Sequence, residues 1–169
     1  MDMNKVACFL VLFILGCLLP AFPALTWEGM VRAVHDGDTV TLAPGGACNS
    51  SLSIRLYGID APELGQAGGP ESREALARIL PPESLVEVVP LGQDRYNRVV
   101  ALLIRKGKNV NARMLESGHA WLFKRYCRAK FCREWARLEK SARSARRGLW
   151  ADEAAVPPWQ WRKQRRVKP

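Results

Sequence analysis

Between Ser51 and Ile59 the side chains alternate in character. Leu52, Ile54 and Leu56 fall on one side; Ser53, Arg55 and Tyr57 fall on the other. A period of two predicts a β-strand with one face on a core, and Pro62 ends it. Arg55 therefore leaves the strand on the side away from the core. Four more segments read as strands: Trp27 to Val34, Thr39 to Leu42, Leu85 to Val89 and Val99 to Ile104. The first two are joined through Asp36-Gly37, a strong turn signal. Three helices are predicted. Pro70 opens one through about Leu80, with Glu71 and Glu74 in its first turns. Asn109 caps a second that reaches Glu116 and closes at Gly118. A third runs from about Phe131 to Arg147, with Gly148 as a left-handed stop. Five short strands and three helices in this order give an α+β domain built on a small barrel, and 169 residues fit one domain.

The two ends of the chain read differently from its middle. Lys5 precedes an apolar run from Val6 to Leu19, then Pro20 and small residues to Ala24. The run is shorter than the ~20 residues of a spanning helix. It reads as a secretory signal over residues 1–24, cut after Ala21 or Ala24, so an exported protein, periplasmic or secreted, is expected. A retained anchor and lipidation at Cys17 are the alternatives. Charge collects at the other end. Residues 1–123 carry 11 Lys/Arg against 12 Asp/Glu, whereas residues 124–169 carry 15 against 4. A basic end on a near-neutral body suits a polyanion such as nucleic acid; a solvated helix face with a mobile tail is the plainer alternative. The segment 151–169, with Pro157-Pro158-Trp159-Gln160-Trp161-Arg162, is expected to be extended and then mobile. Cys8 and Cys17 fall in the leader. In an exported chain Cys127 and Cys132 are close enough in sequence to close a small disulfide loop, which leaves Cys48 over. The pattern speaks against zinc, because only His35 and His119 offer imidazole and neither stands at a ligand spacing. Asn49-Ser50-Ser51 is a formal glycosylation sequon.

Three stretches carry chemistry: His35-Asp36-Gly37-Asp38-Thr39-Val40, Arg55-Leu56-Tyr57-Gly58-Ile59-Asp60-Ala61-Pro62-Glu63, and Asp94-Arg95-Tyr96-Asn97-Arg98. Each residue alone has an ordinary explanation: a turn-forming Asp, a surface salt bridge, a packed Tyr. Together they place acids and arginines at strand ends. Asp38 and Asp60 are a carboxylate pair of the kind that binds Ca²⁺, with a backbone carbonyl and waters completing the shell. Glu63 stands where it can reach a nearby water as general base. Arg55 and Arg98 have the fork that matches phosphate oxygens. Tyr96 can stack on a base or hydrogen-bond a phosphate. This pairing is what phosphodiester hydrolysis needs.

In motif, order and spacing the chain resembles the thermonuclease family, the staphylococcal-nuclease-like domains, over roughly Val31 to Trp150. The resemblance implies a five-stranded OB-fold barrel with three helices, spanning residues 25–150. It implies Ca²⁺ held by Asp38, Asp60 and the carbonyl of Ala61, with Arg55, Glu63 and Arg98 as catalytic residues and Arg95 and Tyr96 on the nucleotide's phosphate. It also implies single-stranded or breathing DNA and RNA as substrates, little sequence preference and 3′-phosphate products; a monomer is a separate expectation, with the oligomeric state left open by the sequence. Three departures stand out. Ala61 replaces the Thr of the best-known member, at a position that ligates through its backbone. The loop Leu64 to Gly69 is short and lacks a Lys-rich stretch. Asn97 replaces a Gly, and Asn tolerates a left-handed backbone. Two other readings compete: an OB-type nucleic-acid binder without catalysis, and an exported protein whose basic, Trp-containing tail binds anionic lipid.

Overall fold

The computed structural model describes residues 25–45 and 50–167. The expected signal over residues 1–24, with Cys8 and Cys17, and Cys48 with Asn49, lie outside the described residues. Strands β1 (Trp27–Val34), β2 (Thr39–Pro44) and β3 (Leu52–Leu56) form an antiparallel meander. After a two-residue β4 (Ile59–Asp60) and helix α1 (Gly69–Ile79), β5 (Leu85–Gln93) and β6 (Val99–Arg105) make a hairpin. β5 pairs with β1, and β6 pairs with β3 in parallel, so five strands close into a barrel. The chain continues through β7 (Lys108–Asn109), α2 (Val110–Glu116), β8 (Trp121–Leu122), α3 (Cys132–Ser144), a 3₁₀ turn (Gly148–Ala151) and α4 (Pro158–Val167). The expected α+β barrel is present.

The barrel closes because alternate strand residues are apolar. Val40, Leu42, Ile54, Leu56, Val88 and Leu103 are fully buried, and α2 stoppers one end with Val110, Met114 and Leu115. Leu52 begins the alternating face of β3 but lies at its open end and is exposed. Asn111, also buried, accepts from Leu103 N at 3.1 Å and donates to the carbonyls of Tyr57 and Ala101 at 3.0 and 3.2 Å. It thereby ties β6 to the Tyr57 turn through backbone groups inside the barrel, where buried polar groups need partners; Ala101 O also accepts from Tyr57 N at 2.8 Å. A second small core joins Trp121, Ala142, Leu149 and Trp150, with Trp159 against it. Cys127 and Cys132 form a disulfide.

Two expectations need correction. Helix α3 stops at Ser144, short of Arg147; Arg146 is left-handed, and Gly148 opens the 3₁₀ turn that follows. The end of the chain is not extended, because residues Pro158–Val167 form a fourth helix. Pro158 occupies its first turn, where a missing N–H costs nothing, and the residues after it are mostly good helix formers. Among the described residues, no helix is long and apolar enough to cross a membrane.

Candidate active site

The site assembles where the β1–β2 turn, β3 and β4 meet. Thr39 pairs with Arg55 in the β2–β3 register, which places the end of the turn beside the arginine. Asp36 accepts a bond from Asp38 N at 2.9 Å and so shapes the turn. Asp38 Oδ2 accepts from Ala61 N at 2.6 Å, and its Oδ1 lies 2.5 Å from Arg55 Nη1. Asp60 is completely buried, with Oδ1 2.8 Å from Arg55 Nη2. One guanidinium thus bridges two carboxylates. A guanidinium has five N–H donors, so these bonds leave Arg55 others for a ligand.

Electrostatics follow from this crowding. Burial, then the negative charge of Asp38, pushes the Asp36 carboxyl up to about 7. Burial also raises Asp60, against the opposing pull of Arg162 and Arg55. Burial weakens the Arg55 charge, but Asp38 and Asp60 more than offset it and its pKa rises.

Glu63 lies in the loop before α1. Its backbone carbonyl accepts from Gln66 N at 2.8 Å, and Gly69 packs so closely that a Cβ there would collide with that carbonyl. Glu63 Oε1 lies 2.7 Å from Arg162 Nη1. Arg98 stands at the rim. Its Nη1 donates to Thr39 Oγ1 at 3.3 Å, and Thr39 in turn donates to Asp38 at 3.1 Å. Asn97 is left-handed as expected, which turns the chain so that Asp94 can hold Arg98 through Nε at 2.8 Å and Nη2 at 2.7 Å. Arg95 and Tyr96 lie outside the cluster on the exposed turn, bonded to each other at 2.6 Å, with Arg95 and Arg98 over the Tyr96 ring.

The structure therefore brings Asp38, Arg55, Asp60, Ala61 and Glu63 together. It sets Arg98 one hydrogen-bonded step away and Arg95 and Tyr96 beyond it. Among the described residues, no three His, Cys, Asp or Glu side chains converge on a point that could hold a metal. The side-chain donors available, Asp38 and Asp60, are carboxylate oxygens, which suit a hard cation and not a soft one.

The Asp94–Arg98 pair has a defined pH dependence. Burial works against the Asp94 charge, but bonds from the Arg98 side chain and from the backbone N–H of Arg98 and Tyr96 outweigh it and hold the carboxyl below its ordinary value. The stability it contributes is present above about pH 4, the unfolded value, and is lost as pH falls through the lowered folded one. Asp94→Asn is expected to cost about 1 kcal/mol at pH 7. Urea denaturation at pH 7 and pH 3 should show the gap to wild type closing in acid.

A family model for staphylococcal nuclease homologues matches residues 53–152. The chain belongs to this family of nucleases. It is 34% identical over 137 residues to an uncharacterized endonuclease of Haemophilus influenzae, covering 81% of this chain and 74% of that one. It is 33% identical over 156 residues to a micrococcal nuclease of Shigella flexneri, covering 86% and 87%. A probable staphylococcal-like nuclease of Oryza sativa subsp. japonica, CAN4, is 42% identical over 113 residues, 67% of this chain but only 22% of the rice protein.

The family match stops at residue 152, yet the site does not. Arg162 of α4 enters it, with Nη2 2.7 Å from Asp60 Oδ2 and Nη1 3.3 Å from Asp60 Oδ1. Sequence reasoning grouped Arg162 with a basic tail. Its place three residues after Trp159, a helical spacing, was the signal available, and the double proline masked it.

Proposed function

We propose that this chain is a calcium-dependent endonuclease that hydrolyses phosphodiester bonds of DNA and RNA with little sequence preference. The observation that carries this is the convergence of Asp38 and Asp60 on Arg55, with Glu63 beside them and Arg98 at the rim. Asp38, Asp60 and the Ala61 carbonyl would hold Ca²⁺, which when bound supplies positive charge at a phosphate oxygen. Arg55 and Arg98 grip the scissile phosphate and stabilise the charge that builds on it. Glu63 takes the proton of the attacking water. The 5′-oxygen leaves, and the product ends in a 3′-phosphate. Arg95 and Tyr96, on the exposed turn, extend the grip along the strand. The protein works as an exported monomer, its leader being residues 1–24.

Single-stranded DNA and RNA digestion with Ca²⁺, and with a chelator, tests this. Cleavage is expected with the metal and none without it. Binding of both strands with no cleavage under either condition would make the domain a nucleic-acid binding module. The lipid-surface reading loses support, since Trp159 is spent on stacking against Phe123.

A further inference from the structure

Arg162 is held in the site by more than its own charge. Trp159 stacks parallel on Phe123, with centroids 5.4 Å apart, and packs against the second core. Gln66 Nε2 donates to Val156 O at 2.6 Å, tying the approach to α4 to the loop that carries Glu63. From this mounting one guanidinium bonds both Asp60 and Glu63. These are the metal carboxylate and the base of the reading above. The guanidinium occupies Glu63 Oε1 at 2.7 Å and Asp60 Oδ2 at 2.7 Å, the oxygens that a water and a metal would need. A guanidinium is cationic at any working pH, so Arg162 occupies these carboxylates as a fixed positive charge. The Arg162 side chain is 34% exposed, against 15% for Arg55, so it has an open side by which to leave.

We propose that α4 is an autoinhibitory latch, in which Arg162 is a tethered cation that competes with Ca²⁺ for Asp60, occupies Glu63 in the same position, and so sets the calcium level at which the nuclease switches on. This rests on the calcium-nuclease reading. Metal binding displaces Arg162 from Asp60, and the same displacement frees Glu63 to act as a base. One event therefore readies both groups.

Calorimetric titration of Ca²⁺ into the full chain, without nucleic acid, tests the latch. Arg162→Ala is expected to lower the Kd for Ca²⁺ about tenfold or more, the scale of removing one charge-assisted contact. Arg162→Lys keeps the charge but loses the fork, and its Kd should fall between wild type and Arg162→Ala. Trp159→Ala loosens α4 from outside the site and should also lower the Kd, which covers the case of an unstable Arg162 variant. An unchanged or higher Kd in Arg162→Ala and Trp159→Ala, with wild type binding Ca²⁺, would overturn the latch alone. Wild type that binds no Ca²⁺ would overturn the metal reading and the latch with it.

Discussion

Glu63→Gln is expected to lower kcat about 10²- to 10⁴-fold, the range for losing a general base. The substitution is nearly isosteric, so the amide oxygen can still accept the bond from Arg162 that Glu63 Oε1 now accepts at 2.7 Å. What it cannot do is take a proton at neutral pH. Stability and calcium affinity should change far less than turnover, because Glu63 is 38% exposed and its side chain is not assigned as a ligand. Steady-state kinetics at saturating Ca²⁺ measure the effect. Turnover near that of wild type would remove Glu63 from the role of base.

Arg55→Ala is expected to do two kinds of damage at once. The rate should fall about 10²-fold or more, as it does when one preorganised transition-state donor is lost. Stability should also fall, by about 3–5 kcal/mol, because truncating one partner strands buried charge. Asp38 would lose its guanidinium entirely, and Asp60 would keep only Arg162. Chemical denaturation beside kinetics separates the two losses. Arg55→Lys should recover part of the stability but less of the rate, since an ammonium cannot bridge two carboxylates as a fork does. A variant as stable as wild type would show that the bridge carries no weight in the fold.

Much of this was legible in the sequence, for physical reasons. The β3 alternation placed Ile54 and Leu56 in the core and Arg55 off it, because a period of two leaves no other arrangement. Asp38, Asp60 and Glu63 sit beside turns and strand ends whose positions Gly37 and Pro62 announce. Bringing these groups together required the barrel, which the order of strands and helices suggested and the resemblance specified as an OB-fold. The missing part was α4. Local signals there favoured an extended chain, since a double proline ordinarily stops a helix. The helix is held instead by long-range contacts of Trp159 with Phe123 and of Gln66 with Val156. Such contacts leave no periodic trace. Arg162 was therefore counted as charge when it is a component of the site.

The parallel seam between β3 and β6 has a consequence for how this protein fails. It comprises three residue pairs, Ile54 with Val99, Arg55 with Val100 and Leu56 with Ala101, and parallel pairing is the weaker kind. Arg55 lies within the seam and Arg98 immediately precedes it. Unzipping it parts the two arginines while the β1–β2 and β5–β6 hairpins remain intact. A chain in that state keeps most of its regular backbone but no longer holds together the two arginines proposed to grip the phosphate. On warming, hydrolysis is expected to be lost ahead of the far-ultraviolet circular dichroism signal, and coincident loss of the two would show that the seam opens with the rest of the barrel.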